Sequence, residues 1–164
     1  HRLHAQAARE RLRAYLAGEI TLAQADGMTY EEAQRIATMG CELAAKGRLQ
    51  DARVVFEGLV AGNPEDSSAQ ASLGTVYQRL NRRDEALACY DKAIELYDRN
   101  VVALANRGEL RLKAQDLGGL DDLARATKVD PRGVTAAGRR ARALIAFLLE
   151  RSKAARPAQA ASAR

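Results

Sequence analysis

The 164-residue sequence is poor in the residues that build most folds and most active sites. Trp is absent, and two Phe and five Tyr bring the aromatics to only 4%. A core must then be filled by Ala, Leu, Val and Ile, which suits closely packed helices and argues against a sandwich or a barrel. Only three prolines occur and β-branched runs are short, so almost no strand is expected. No stretch approaches the roughly 18 apolar residues of a membrane span, so membrane insertion is not expected. The opening HRLHAQAARERLRAYL has no continuous apolar segment and does not read as a secretory signal. Cys41 and Cys89 stand at no pairing spacing. They read as small buried hydrophobes in a reducing compartment, which points to the cytoplasm.

Catalytic chemistry is equally sparse. His1 and His4 are the only histidines; their spacing permits a metal pair, but a frayed terminus or tag remnant is the better reading. There is no G-x-x-x-x-G-K-[ST], no G-x-S-x-G, and no Ser–His or Cys–His constellation with a plausible base. Gly118-Gly119 stands too alone to be a phosphate loop. The acidic pairs Glu31-Glu32 and Asp121-Asp122 fall near helix starts, where they complement the helix dipole. An enzyme is not expected, nor a metal or a cofactor.

What is present is a period. Gly40, Gly74 and Gly108 lie 34 residues apart, each inside a helical pattern. Small residues recur at Ala52, Ala86 and Gly119, a bulky residue four places on at Phe56, Tyr90 and Leu123, and a third position at Leu59, Ala93 and Ala126. Pro64, Asp98 and Pro131 mark the unit ends, and proline stops a helix there. Small residues permit close helix crossing and large ones fill between. This pattern resembles the tetratricopeptide repeat (TPR), a helix A, a tight turn and a helix B per unit. The fold class expected is all-α: a TPR helical-hairpin solenoid of three repeats, with an N-terminal helix and a C-terminal capping helix.

The organisation follows. Residues 1–28 are read as an N-terminal helix, ending at Gly18, and a linker. Residues 29–152 carry the three units, 33–66, 67–100 and 101–132, and the capping helix, and residues 153–164 a disordered basic tail. Thr29-Tyr30-Glu31-Glu32 is a capping box that opens the first helix A. Asp66 or Ser67, Asp84 and Asn100 are read as N-caps. The third unit is degenerate: Arg107 and Arg111 replace bulky apolar residues, and its turn is one residue short. The last helix, about 133–152, has Ala137, Ala141, Leu144, Ile145 and Leu148 as its apolar stripe, with Arg139, Arg140 and Arg142 off it.

Charge is uneven. Of the net +5, residues 33–131 contribute almost nothing, with fourteen basic and fifteen acidic side chains, whereas residues 132–164 hold eight basic and one acidic. This basic end can meet phosphates or an acidic partner. It has no interleaved aromatics to stack bases, so a solvated face of a capping helix is the preferred reading and nucleic acid is not the expected partner.

In a TPR array the A helices line the concave surface, where a peptide binds. Helical spacing places Gln34, Ala37, Cys41, Ala44 and Ala45 there from the first unit and Ser68, Ala71, Thr75, Gln78 and Arg79 from the second. The third gives Val102, Ala105, Asn106, Glu109, Leu112 and Lys113. Small side chains leave room for a partner's apolar residues, and Thr75, Gln78 and Asn106 can hydrogen-bond an extended backbone. Helix propensity accounts for any single alanine; their repetition on one face is the signal. Co-chaperone TPRs clamp a C-terminal carboxylate with Lys, Asn, Lys and Arg. This chain has Ala37, Cys41, Val102 and Asn106 at those places and would leave the carboxylate unpaired.

One TPR family is resembled in particular, the translocator chaperones of type III secretion (class II, low-calcium-response type). The residues that carry this are G-M-T-Y-E-E-A (Gly27–Ala33), G-R-L-Q-D-A-R-V-V-F-E-G-L-V (Gly47–Val60), P-E-D and L-G-T-V-Y-Q (Leu73–Gln78). The layout of leading residues, three repeats and a final helix also corresponds, over roughly residues 12–150. The resemblance implies a small cytosolic chaperone holding an extended client segment in its groove. It also implies a homodimer through the N-terminal helix, with Leu12, Tyr15 and Leu16 as the contact. The function expected is a non-enzymatic peptide-binding chaperone or adaptor. The alternative is a scaffold subunit of a motility, pilus or secretion apparatus, using outer faces and terminal helices.

Overall fold

The computed structural model describes residues 2–17 and 28–161, with side chains described from Gln6 to Ala155 except Ala8. His1 and all but Met28 of the linker expected at about 19–28 lie outside these residues, and so does the side chain of His4. The elements are α1 (Arg2–Leu16), α2 (Tyr30–Ala45), α3 (Leu49–Gly62), α4 (Ser67–Arg79), α5 (Arg83–Leu96), α6 (Val101–Lys113), α7 (Gly118–Val129) and α8 (Ala136–Ala161). No strand occurs among the described residues. Packing divides the chain into two compact units, His1–Asp98 and Arg99–Arg164.

The first unit holds α1 and the hairpins α2/α3 and α4/α5. Thr29 opens α2 as a full capping box: its Oγ1 accepts from the Glu32 amide at 3.2 Å, and its own amide donates to Glu32 Oε2 at 2.9 Å. Gly47 turns the chain at φ +77°, where a Cβ would be strained. The hairpins close because their A helices carry glycine where an aromatic ring arrives. A Cβ on Gly40 would lie 2.8 Å from the Phe56 ring, and one on Gly74 2.7 Å from the Tyr90 ring. Phe56 and Tyr90 are almost wholly buried. Val55, Leu59, Leu73 and Val76 complete the core, and Leu12 of α1 joins it. Tyr77 on α4 donates its hydroxyl to Glu57 on α3 at 2.6 Å, stacking one hairpin on the next. Burial first, and the Glu57 carboxylate second, push the Tyr77 phenol up to about 12.

The second unit holds α6/α7 and α8. Leu123 fills the space over Gly108, and Gly119 passes so close that a Cβ there would lie 2.5 Å from the Gly108 carbonyl oxygen. Asp66 and Asn100 cap α4 and α6 as expected, accepting from Ser68 and Ala69, and from Ala103. Asp84 does not cap α5. The N-cap is Arg82, without a side-chain bond, and Asp84 sits inside the first turn, where its charge favours the dipole. The helix α8 runs to Ala161, beyond the end expected at Ser152, in keeping with the helix propensity of its alanines.

Candidate functional site

The face predicted for ligand binding divides between the two units. In the first, α2 and α4 lie side by side, and Arg79 Nη1 donates to the Ala44 carbonyl at 2.8 Å, a second bond to an oxygen that already accepts from the Gly47 amide at the end of α2. Gln34, Cys41 and Ser68 are exposed, and Ala37, Ala44, Thr75 and Gln78 are half-buried. Ala71 is 3% exposed. It therefore adds no floor to a groove, and Ala71→Arg would attack the fold before any partner.

The polar groups of this face are organised by the second hairpin's own core. Tyr90, buried on α5, donates its hydroxyl to Gln78 Oε1 at 2.7 Å and also contacts Thr75 Oγ1 at 3.4 Å. Thr75 donates back to the Ala71 carbonyl at 3.0 Å. With its Oε1 engaged, Gln78 has its amide NH2 left as a donor. The same tyrosine that needs Gly74 thus orients the side chain one turn further along that side of α4. Cys41 is exposed and Cys89 buried. Burial raises both thiols, Cys89 to about 11, so neither is a ready thiolate near neutral pH.

In the second unit, Val102, Glu109 and Leu112 reach the surface of α6, while Ala105 and Asn106 are buried. Arg140 of α8 takes up two of the predicted positions. Its Nη2 donates to Asn106 Oδ1 at 2.7 Å and its Nε to Glu109 Oε1 at 3.3 Å. Arg139 donates to the Gly133 and Val134 carbonyls. Two of the three arginines read as a solvated face, Arg139 and Arg140, therefore anchor the helix that bears them. Asp130 ties down the α7–α8 junction by accepting from the Val134 amide, the Thr135 amide and the Thr135 hydroxyl at 2.7–2.9 Å. The Thr135 hydroxyl, then the two amides, hold its carboxyl below the usual carboxylate range.

Sequence reasoning missed one constellation altogether. Asp122, 1% exposed, accepts two bonds from Arg107, at 2.6 and 2.8 Å, and one from Arg111 Nη1 at 3.0 Å. The two arginines that looked like lapses of the repeat neutralise a buried carboxylate on α7. Arginines at 107 and 111, one turn apart, facing an acid at 122 was the signal available.

Leu12 of the expected dimer contact is turned into its own chain, 5% exposed; Tyr15 is half-buried, and Leu16 is 42% exposed. Arg11 pairs with the buried Glu32, so α1 is bound to α2 by charge as well as by Leu12. The Thr29 amide chiefly, and Arg11 with it, lower the Glu32 carboxyl. No described helix is long and apolar enough to cross a membrane. Among the described residues no cluster of three His, Cys, Asp or Glu could hold a metal ion.

Comparison with known proteins agrees with this architecture. The tetratricopeptide repeat family model matches residues 67–100, the hairpin α4/α5. No curated protein matches the chain by sequence. Among solved structures, the chain is similar to PcrH from Pseudomonas aeruginosa, with a TM-score of 0.66 at 20% identity, covering 75% of this chain and 96% of that one. It is also similar to the type III secretion chaperone SycD of Yersinia enterocolitica in complex with a peptide of the translocator YopD. There the TM-score is 0.65 at 17% identity, over 80% and 99% of the two chains. A third is the TPR2B domain of yeast Sti1 in a complex with pHsp70, with a TM-score of 0.58 at 21% identity, over 68% and 97%. At these identities the likeness shows the fold, which is the TPR fold.

Proposed function

We propose that this protein is a non-enzymatic TPR chaperone or adaptor that holds a partner's peptide segment against its A helices. The observation that carries the reading is the face of α2 and α4. It combines an accessible floor of Ala37, Cys41 and Ala44 with the Gln78 amide, oriented by a buried tyrosine. Shallow apolar space beside a fixed donor suits an extended backbone carrying alternate apolar side chains. Proteins of similar fold have been solved with peptide partners, PcrH with the chaperone-binding region of PopD and SycD with a YopD peptide. These likenesses support the secretion-chaperone form of the reading and a cytoplasmic setting. SycD has been solved as an alternative dimer, and self-association of this chain would use the exposed Leu16 side of α1.

The test is fluorescence anisotropy with a panel of labelled apolar peptides, the PopD chaperone-binding region among them. Cys41→Arg, at an exposed position, is expected to weaken a bound peptide at least tenfold without changing the melting temperature. Unchanged affinity would contradict the site. A scaffold subunit is the second reading, favoured by Phe147 and Leu149 of α8, each more than half exposed.

A further inference from the structure

The second unit carries a groove in which three predicted binding positions, Glu109, Leu112 and Lys113, face the last helix, α8. It runs between α6 and α8, is open to solvent, and has a volume of about 840 Å³. Its floor is Leu112, Leu144 and Leu148, with Lys113 and Arg151 at its rim. Leu144, Leu148 and Arg151 follow one another at i, i+4 and i+7, so one side of α8 faces the groove for two turns. Phe147 is 56% exposed on the same stretch and has Arg151 over its ring at 5.7 Å.

Charge decides what fits. Glu109, the one carboxylate lining the groove, is already paired with Arg140. Lys113 and Arg151 have no carboxylate partner among the described residues. Residues 132–164 as a whole carry eight basic and one acidic side chain. A second copy applied through α8 would set Arg151 and its basic neighbours against themselves. An apolar floor flanked by unneutralised cations suits a helix with leucines on one face and carboxylates beside them.

We infer that the α6–α8 groove is a second docking site, and that its occupant is an acidic amphipathic helix of a protein partner. The inference rests on the reading of the chain as a protein-binding module, but on a different site from the α2–α4 face.

The experiment uses the full chain and two labelled synthetic helical peptides with identical leucine spacing, one with Glu and one with Lys at the flanking positions. Anisotropy is expected to show the Glu peptide binding at least tenfold more tightly, with the difference shrinking as salt is raised. Lys113→Glu with Arg151→Glu, both at exposed positions, is expected to reverse the preference. Cys41→Arg is expected to leave it unchanged. Equal binding of the two peptides, binding of neither, or no reversal in the double variant would overturn the inference. So would a dimer in sedimentation that Leu148→Asp dissociates, since the occupant would then be a second copy. If these fail while extended peptides still bind and remain sensitive to Cys41→Arg, the proposed function stands and only this site falls.

Discussion

At the scale of single residues, the interior is set by where a Cβ can be absent. Gly74→Ala would gain about 1 kcal/mol in helix propensity. It would also drive a methyl into a buried Tyr90 ring whose hydroxyl is held by Gln78. Overpacking of this kind costs roughly 1–3 kcal/mol, so a net loss of up to about 2 kcal/mol is expected, measured by urea unfolding. A stabilised variant would show that Tyr90 is free to move. The left-handed turn position recurs at the same 34-residue step: Gly47 at φ +77°, Asn81 at +59° and Gln115 at +63°. Asparagine tolerates that region, whereas glutamine there costs about 1–2 kcal/mol. The entropy of a new glycine returns roughly 0.5–1 kcal/mol of this. Gln115→Gly should therefore stabilise by up to ~1 kcal/mol, and a destabilised variant would deny the strain. The glycines were legible in the sequence because their reason is local volume. The same period also marks the left-handed turn, through residues with different side chains.

At the scale of elements, two junctions are held by charge. The Arg107–Asp122–Arg111 cluster fixes α6 to α7 from inside. Removing one partner of a buried ion pair costs about 3–5 kcal/mol, so Asp122→Ala should lower stability by about 3 kcal/mol or more. A loss below 1 kcal/mol would place the pair in solvent. At the α7–α8 junction, Asp130 ionises more readily folded than unfolded, where its reference value is 3.8. A lowered folded value stabilises fully above the unfolded one and is lost as pH falls below it. Unfolding followed from pH 5 to pH 2 should show this loss, and Asp130→Asn should remove that part of the pH dependence. Equal profiles for both proteins would contradict it. The caps Thr29, Asp66 and Asn100 could be read from the sequence, because each bonds within three residues of itself. The Asp122 cluster and the Arg140 anchor could not, because they join residues 11 to 34 apart whose pairing exists only once α7 and α8 are packed.

At the scale of the whole molecule, fold and binding face were legible to different degrees. The 34-residue period gave the hairpins, and the structural relatives share their fold. Helical spacing also gave the A-helix face, but spacing does not report depth. Ala71 and Ala105 sit at the predicted positions and are buried, whereas Ala37, Cys41 and Ala44 reach the surface. The account as a whole therefore turns on whether that accessible face of α2 and α4 is where a partner lies. Cys41 reports on it directly, because Cys89 is buried and its thiol is held at about 11. The decisive measurement is the rate of Cys41 alkylation with and without a saturating peptide that the anisotropy panel has shown to bind. The account predicts at least a tenfold slowing that follows peptide occupancy. An alkylation rate that stays the same at full occupancy would contradict it.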